Sequence, residues 1–194
     1  FADTPLNGLR THRIIMRGIA RTFQNIRLFQ QLTALENVLA GCHYRMRSGI
    51  VAAMLRLPAQ RREEQQAIER AQQELAFVGL SPYALAVAKN LSYGDQRRLE
   101  IARALATEPR LLILDEPAGG MNEQETEALI GLIGRIQERG VTILLIEHDM
   151  RLVMQVCEKL VVLEHGGKIA EGSPDQVRCD PKVIEAYLGV EDEP

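Results

Sequence analysis

Two short apolar runs that each end in acidic residues constrain the fold of this chain most strongly. Leu111–Leu114 leads into Asp115, and Val141–Ile146 leads into Glu147. Runs of this kind are typical of strands that are buried on both faces of a parallel sheet. The amphipathic residues 123–139 between them predict a helix. A helix that connects two such strands indicates an α/β fold with a mainly parallel sheet.

A mostly helical stretch separates these strands from an earlier one. Residues 19–23 predict a short strand. Thr33 begins a capping-box pattern that opens a helix, and residues 61–80 predict a longer amphipathic helix. Residues 44–60 between these helices are basic and apolar. We therefore expect a helical lobe over about residues 33–90, inserted between strands of the sheet.

A hairpin is predicted near the end of the chain. The apolar residues 160–164 and the following residues 168–171 flank His165-Gly166-Gly167, a favourable hairpin turn. Two short helices and an acidic tail follow the hairpin.

Charge and composition argue against several classes of protein. The formal net charge is -3 and the pI is about 5.9, which argues against a nucleic-acid binder that relies on a global basic field but leaves a local basic patch open. Trp is absent, which argues against base-stacking platforms. Cys42, Cys157 and Cys179 are far apart and show no metal-ligand spacing. No apolar run approaches the ~20 residues that span a bilayer, so we expect any membrane role to come through a partner.

The motif LLILDEP, residues 111–117, places two carboxylates at the end of a predicted strand. The carboxyl ends of parallel strands are where α/β proteins bind ligands. Asp115 there suits Mg²⁺, bound directly or through water. Glu116 suits a general base for a water that attacks a phosphoryl group. The plainer alternative is a buried strand that runs into an acidic turn.

The motif LSYGDQ, residues 91–96, has the features of an anion-binding helix start. Ser92 is a favourable cap, Gly94 allows a phosphate to approach the backbone closely, and Asp95 is a natural first-turn residue. The free N–H groups and the dipole of the helix start favour an anion. The alternative is an ordinary capped helix.

The helix that follows this motif is rich in arginine. In the ordinary-helix interpretation, Arg97, Arg98 and Arg103 lie on a solvated face and pair with Glu100. This is the plain interpretation of these three side chains.

Two further polar residues follow predicted strands. His148 comes two positions after Ile146, which predicts an imidazole at the same sheet edge as Glu116, able to hydrogen-bond a transferring phosphate. Gln24 follows the strand at residues 19–23, and its amide could contact Mg²⁺ or the attacking water and sense the γ-phosphate. Each residue alone is a weak signal, and each gains weight only from the other motifs.

Together, in this order and spacing, the motifs resemble the nucleotide-binding domain of ABC transporters. Gln24 is similar to the Q-loop, LSYGDQ to the family signature, LLILDEP to the Walker B strand with its catalytic Glu, and His148 to the switch histidine. The loop AGGMN, residues 118–122, resembles the one that crosses the dimer interface. The resemblance covers essentially the whole chain.

The resemblance implies a P-loop NTPase-like fold, with one partial nucleotide-binding domain over residues 1–194. Residues 1–32 and 91–194 correspond to the RecA-like core, and residues 33–90 to the inserted helical subdomain.

The implied site binds ATP and Mg²⁺. The signature residues Ser92, Gly94, Asp95 and Gln96 would contact the nucleotide. By the same resemblance, Asp115 and Gln24 serve the metal, Glu116 is the general base, and His148 steadies the γ-phosphate.

The resemblance also implies partners. These are a second ATP-binding subunit that meets the first head to tail, transmembrane permeases docked near the Gln24 loop and the helical lobe, and, indirectly, an external binding protein. Nucleic acid is not among them. The location implied is peripheral, on the cytoplasmic face of the membrane.

A narrower resemblance points to the subfamily that serves branched-chain amino acid uptake. It rests on four stretches: RTFQNIRLFQQLTALENVLAG, the insertion at 44–60, IEHDMRLVM and VIEAYLG. Urea-uptake and lipopolysaccharide-export ATPases are similar, so the transported solute stays open.

The sequence departs from the family pattern at several positions. Tyr93 replaces the usual second glycine of the signature, Asn122 stands where Asp is common, and Glu123 where Pro is common. No G-x-x-x-x-G-K-S/T occurs, and the Gly-Lys pair at residues 167–168 lacks the rest of that pattern. We expect the phosphate loop and the first strands to lie upstream of Phe1.

Two consequences are expected from the missing loop. The strand before the family's phosphate loop is expected beside the strand that bears Asp115. The isolated 194-residue chain is expected to be poorly stable and to bind ATP weakly or not at all.

Three alternatives remain open at this point. One is an ABC-type ATPase that acts on nucleic acid or ribosomes, which the acidic pI disfavours. Another is a non-catalytic module that supplies only the LSYGDQ side to a partner's ATP. The missing phosphate loop favours it, whereas Glu116 and His148 disfavour it, since such a module would need neither. The third is a plain α/β domain with coincidental motifs.

Overall fold

The computed structural model describes residues 1–43 and 58–188 of the chain. These residues belong to two compact units, Phe1–Ile146 and Glu147–Pro194. Most of the basic and apolar stretch at residues 44–60 lies outside the described residues. The division of the chain into a core and a helical subdomain stays a prediction.

The first unit contains a parallel three-stranded sheet in the order β1-β2-β3. The strands are β1, Ile19–Arg21, β2, Leu111–Asp115, and β3, Thr142–Ile146. All pairings are parallel, with Ala20 opposite Leu112 and Leu112 opposite Ile143. The prediction of a mainly parallel sheet is therefore confirmed.

The position of β2 corrects one expectation about its neighbours. Because β1 pairs with one edge of β2 and β3 with the other, both edges are occupied. A strand that precedes a phosphate loop therefore cannot lie directly beside the strand that bears Asp115. In this sheet the strand ending at Ile146 takes that place.

The two faces of the sheet differ in burial, which corrects a second expectation. Leu112 and Leu114 are fully buried on one face. On the other face, Leu144 is 50% exposed and Ile146 is 46% exposed. The prediction that these apolar runs are buried on both faces is therefore wrong for the second face. Among the described residues, these two side chains of β3 have little packed over them on this face.

In the described residues of this unit, one helix precedes β1, three lie between β1 and β2, and one connects β2 to β3. They are α1, Thr11–Met16, α2, Ala34–Cys42, α3, Pro58–Phe77, α4, Tyr93–Leu105, and α5, Glu123–Glu138. Short 3-10 turns occur at Ser81–Tyr83 and Ala88–Asn90. The Thr33 capping box and the helix starting after Ser92 are confirmed. Helix α5 buries Leu129, Leu132, Ile133 and Ile136, the spacing of one helical face.

Helix α2 packs closely against both α3 and α4. Gly41 makes the closest approach, because a Cβ added there would lie 2.3 Å from the carbonyl oxygen of Arg103. The neighbour is backbone of another helix, so a side chain at Gly41 would separate α2 from α4.

We expect Gly41→Ala to destabilise the protein by about 1–3 kcal/mol, because the added methyl group overpacks this helix contact. Urea unfolding of both proteins measures the difference. Gly134→Ala is the matched control, since a Cβ at Gly134 meets nothing within 4 Å. That control should be neutral or stabilising by up to about 1 kcal/mol. Equal stability of the Gly41 variant and the parent protein would contradict the close packing.

The second unit contains a helix, a hairpin and two short helices. Helix α6, Met150–Val156, is followed by β4, Leu160–Glu164, and β5, Gly167–Gly172, which pair antiparallel. The turn between the strands has φ of 48° at His165 and 80° at Gly166, so the predicted hairpin turn is confirmed. Helices α7, Pro174–Arg178, and α8, Pro181–Val183, follow the hairpin, and a π-helical turn covers Ile184–Leu188. Ala170, Val177 and Val183 form its small core.

The hairpin carries a carboxylate between two ammonium groups. The carboxylate oxygens of Glu171 lie 2.6 Å from Nζ of Lys159 and 2.6 Å from Nζ of Lys168. These hydrogen bonds, that of Lys159 first, lower the pKa of Glu171 from 4.5 to about 2.

Because the pKa of Glu171 is lowered on folding, its contribution to stability is present above pH 4.5 and is lost as the pH falls towards about 2. The group is exposed, so the contribution is small. An NMR titration of the Glu171 carboxyl should give a midpoint well below 4.5. Replacing both lysines with Met should return the midpoint to the ordinary range. A midpoint near 4.5 in the parent protein would contradict the assignment.

None of the helices in the described ranges combines the length and the apolar character that a membrane crossing needs.

Candidate functional site

The end of β2 turns sharply at Glu116. Its φ is 43°, in the left-handed region that residues with a side chain seldom adopt. The Glu116 N–H donates to the carbonyl of Ile146 at 2.9 Å, which ties the turn to the end of β3. Strained backbone of this kind is common where a side chain is held for a function. The turn directs the Glu116 carboxylate away from the regular path of the strand.

Gln24 meets Glu116 at this edge of the sheet. The pairing of β1 with β2 continues past Arg21, since the Thr22 N–H donates to the carbonyl of Ile113 at 2.9 Å. Two residues later, Nε2 of Gln24 donates to Oε2 of Glu116 at 2.8 Å. The structure therefore brings these two predicted site residues together.

Asp115 is paired with an arginine that the sequence interpretation did not single out. Nη2 of Arg21 lies 2.5 Å from Oδ2 of Asp115. Arg21 lies opposite Ile113 in the sheet register. Asp115 is two positions beyond Ile113 on β2, so the side chains of Arg21 and Asp115 lie on the same face of the sheet. The sequence contains a signal for this pair, because Arg21 and Asp115 are the last residues of two neighbouring strands.

The oxygen atoms at this edge fit a hard cation. Carboxylates of Asp115 and Glu116 and the amide oxygen of Gln24 are the donor types that Mg²⁺ takes, usually together with water and phosphate oxygens. Oδ2 of Asp115 is engaged by Arg21, so direct binding through that atom requires Arg21 to move. Among the described residues no cluster of three His, Cys, Asp or Glu has metal-binding geometry. The assignment of Asp115 and Gln24 to a metal stays a prediction.

The start of α4 has the cap that the sequence predicts. The Asp95 N–H donates to Oγ of Ser92 at 3.1 Å. The side chains of Asp95 and Gln96 already have partners in the protein. Asp95 pairs with Arg98, and Nε2 of Gln96 donates to the Leu91 carbonyl at 3.0 Å. Nucleotide contacts by Asp95 and Gln96 therefore stay a prediction, and either side chain would have to exchange its present partner.

Gly94 and Tyr93 pack against the segment that follows β2. A Cβ at Gly94 would lie 2.6 Å from Oε1 of Glu125, so that carboxylate fills the space a side chain would take. Gly120 lies against the Tyr93 ring. The sequence interpretation missed Glu125, although the pattern Asn122 to Glu125 is a capping box that predicts its position.

The expectation of a solvated arginine face on α4 is wrong for Arg97. Arg97 is 0% exposed and Glu100 is 1% exposed. Nη1 of Arg97 donates to Oε2 of Glu100 at 2.9 Å. The cause is the chain segment after β1, whose backbone lies over this face of the helix and accepts hydrogen bonds from Arg97.

A cavity of about 330 Å³ lies between β1, α2 and α4. Its walls are partly apolar and partly charged: Ile15, Ala20, Arg21, Phe29, Ala40, Gly41, Glu100, Arg103, Ala104 and Thr107. The Arg103 guanidinium lies 5.8 Å from the centre of the Phe29 ring. Burial lowers the pKa of Arg103, and the charge of Glu100 opposes that effect. The cavity therefore adjoins the segment that leads from Gln24 into α2.

His148 lies in the second unit, just before α6. Its N–H donates to Oε2 of Glu147 at 3.0 Å, and its ring is exposed. Asp149 caps α6 by accepting from the N–H groups of Arg151 and Leu152. The role of His148 at a phosphate beside Glu116 stays a prediction. Glu147, whose carboxylate is almost fully buried, was not singled out from the sequence.

Comparison with known families identifies the class of protein. A family model described as ABC transporter matches residues 1–119. The chain therefore belongs to the family of ABC transporter ATP-binding proteins, which are ATPases with the P-loop NTPase-like fold predicted from the sequence. A second model, described as branched-chain amino acid ATP-binding cassette transporter, matches residues 168–193.

Individual relatives agree with this assignment. The chain is 48% identical over 185 residues to the high-affinity branched-chain amino acid transport ATP-binding protein BraF of Pseudomonas aeruginosa, covering 95% of this chain and 72% of BraF. It is 45% identical over 188 residues to LivG of Escherichia coli K12, covering 96% of this chain and 74% of LivG. The ADP conformation of MJ1267, an ATP-binding cassette of an ABC transporter, superposes with a TM-score of 0.79 at 30% identity, covering 98% of this chain and 76% of that one.

Proposed function

We propose that this protein is the ATP-binding subunit of a transporter that imports branched-chain amino acids or similar small polar solutes across the cytoplasmic membrane. The identity of 48% to BraF and of 45% to LivG supports the solute class. The match of residues 168–193 to the branched-chain family model is independent support from the other end of the chain.

The contact that carries the proposal is the hydrogen bond from Gln24 to Glu116. It joins the loop after β1 to the Glu116 carboxylate at the end of β2. Bound ATP and Mg²⁺ would supply the phosphoryl group and the charge that balances it. Glu116 accepts a proton from water as general base, and Asp115 and Gln24 orient the metal's ligands. His148 donates a hydrogen bond that steadies the γ-phosphate.

The helix start at Ser92 serves a second subunit in this proposal. Two ATP-binding subunits, identical or different, meet head to tail. Ser92, Gly94, Asp95 and Gln96 of one subunit then face the nucleotide of the other. The support is the capped α4, because its Ser92 hydroxyl and first N–H groups form a start that favours an anion.

Transmembrane permeases are the second class of partner. We place their contact at the Gln24 loop and the neighbouring cavity, whose Phe29 and Arg103 offer both apolar and charged surface. An external binding protein takes part indirectly, by delivering solute to the permeases. The subunit then lies peripherally on the cytoplasmic side of the membrane, where it should copurify with membranes and not with RNA.

A gene deletion tests the proposal in cells. Cells without this protein should lose most high-affinity uptake of labelled leucine, isoleucine and valine, and the gene should restore it. Uptake of proline and of urea is the internal control and should not change. Loss of urea uptake alone would favour a urea-type system, and an outer-membrane lipopolysaccharide defect would favour an export ATPase.

We also propose that the 194-residue chain alone binds ATP weakly. Its residues include no G-x-x-x-x-G-K-S/T loop, so the backbone cradle and lysine that hold the β- and γ-phosphates have no counterpart in the motifs found. Calorimetry with Mg-ATP should detect no binding in the nanomolar-to-micromolar range. Binding in that range would refute this point without affecting the solute assignment.

A further inference from the structure

We propose that Arg97 and Glu100 are a positioning pair that holds the Gln24 loop, residues 23–27, in the geometry from which Gln24 reaches Glu116. The proposal rests on the proposed function for its consequence, because only in an ATPase does the position of Gln24 matter. The pair itself is defined by hydrogen bonds between α4 and the loop.

Arg97 binds the loop through two backbone carbonyls. Nη1 donates to the Phe23 carbonyl at 2.7 Å, and Nη2 donates to the Gln24 carbonyl at 2.7 Å. These are charge-assisted bonds from a fully buried guanidinium to partly buried carbonyls, so they are stronger than hydrogen bonds between neutral groups. They fix the backbone of the very residue whose side chain donates to Glu116.

Glu100 binds the other end of the loop. Oε1 accepts from the Arg27 N–H at 3.1 Å, while Oε2 accepts from Arg97. The carboxylate therefore orients Arg97 and holds Arg27 at the same time. The segment before the loop is held separately by the sheet, through Thr22, and the segment after it by Asn37, whose Oδ1 accepts from the Phe29 N–H at 2.9 Å.

The pair lies where the start of α4, the Gln24 loop and the cavity come together. Arg97 and Glu100 belong to the same helix that begins after Ser92, so movement of the helix start carries the loop with it. Glu100 also lines the cavity, and its Oε1 lies 3.9 Å from Nη2 of Arg103. A permease segment that draws Arg103 away would change the charge balance at Glu100. Nucleotide contact at Ser92 and partner contact at the cavity would thus act on one loop.

A structural role alone would not require charged side chains here. A buried ion pair often contributes little to stability compared with apolar residues of similar volume. Arg97 also keeps a buried Nε–H without a partner among the described residues. An apolar replacement of both residues should therefore preserve the fold while releasing the loop, and this separates positioning from packing.

The test is NMR on the ATP-binding subunit, measured as the parent protein and as the double variant Arg97→Met/Glu100→Leu. We expect a cooperative thermal transition near that of the parent and amide hydrogen exchange at Arg27 about tenfold faster or more, since one hydrogen bond to a charged group is lost. The side-chain amide signal of Gln24, assigned from its absence in Gln24→Ala, should move towards the free-amide position. Exchange at the Phe29 amide should not change.

Arg98→Met is the matched control, because Arg98 lies on the same helix but pairs with Asp95 and the Val78 carbonyl. It should leave Arg27 and Gln24 unchanged. If the double variant does not fold, Arg97→Lys is measured, and the loss of one of two donors should shift the Gln24 signal part of the way. A folded variant with parental Arg27 exchange and Gln24 signal would overturn the proposal. These readouts need neither nucleotide nor permease, so they stand apart from the transport assay.

Discussion

In the assembled transporter, we expect Glu116→Gln to lower ATP turnover by about 10²–10⁴-fold, the range that general-base catalysis contributes. The amide cannot accept the proton from the attacking water. It is similar in shape, so it can still contact Gln24, and we expect ATP binding to be retained. Turnover is measured as phosphate release, and binding with labelled ATP under conditions without hydrolysis.

The control for this variant is Glu138→Gln, which removes an exposed carboxylate at the last turn of α5. It should leave turnover within about twofold of the parent, as expected for surface substitutions of small energetic effect. Parental turnover in Glu116→Gln would remove Glu116 from the catalytic role. It would also favour the interpretation of the chain as a module that supplies only its Ser92 side to a partner's site.

Arg97→Ala should have the largest effect on stability, a loss of about 3–5 kcal/mol. It leaves the Glu100 carboxylate buried without its arginine, and it leaves the carbonyls of Phe23 and Gln24 without their donors. The Glu100 side chain is buried, so it cannot regain its hydrogen bond from solvent, whereas the two carbonyls lie in partly buried positions. Urea unfolding followed by circular dichroism measures the change.

Arg98→Ala is the comparison for that variant, since the Arg98 side chain is partly exposed and its pair with Asp95 is screened by solvent. We expect a loss of no more than about 1 kcal/mol. Equal losses in the two variants would show that burial of Arg97 contributes nothing. The Arg97→Met/Glu100→Leu variant should recover the part of the loss that comes from the unpaired Glu100 carboxylate, because it removes both members of the pair together.

The sequence predicts most local structure because the signals are local. The Thr33 capping box, the Ser92 cap and the turn at Gly166 each depend on residues within three positions of one another. The parallel sheet also follows, since short apolar runs joined by a helix have few other arrangements. These features are confirmed without knowledge of any distant contact.

The contacts that the sequence does not reveal are long-range ones. Arg97 and Glu100 have the spacing of a surface ion pair, and only the loop folded over them, 73 and 74 positions away, makes them buried. The pairing of Arg21 with Asp115 joins residues 94 positions apart. Which strand neighbours which depends on the whole sheet, so the expected neighbour of β2 was wrong.

The candidate site is intermediate between these cases. Motif order assigned Gln24 and Glu116 to one site, and the strand register explains why the two side chains meet at 2.8 Å. The role of His148 stays a prediction, because it depends on the placement of the second unit. The nucleotide contacts of Ser92 and Gly94 stay predictions, because they depend on a partner subunit.

Transport in proteoliposomes tests the central claim most directly. Vesicles would contain this protein with its permeases, with the solute-binding protein on the opposite face from ATP. We predict that leucine, isoleucine and valine accumulate only with hydrolysable ATP, that urea does not accumulate, and that the Glu116→Gln complex accumulates none of them. ATP hydrolysis without accumulation of these amino acids, or accumulation of urea in their place, would contradict the account.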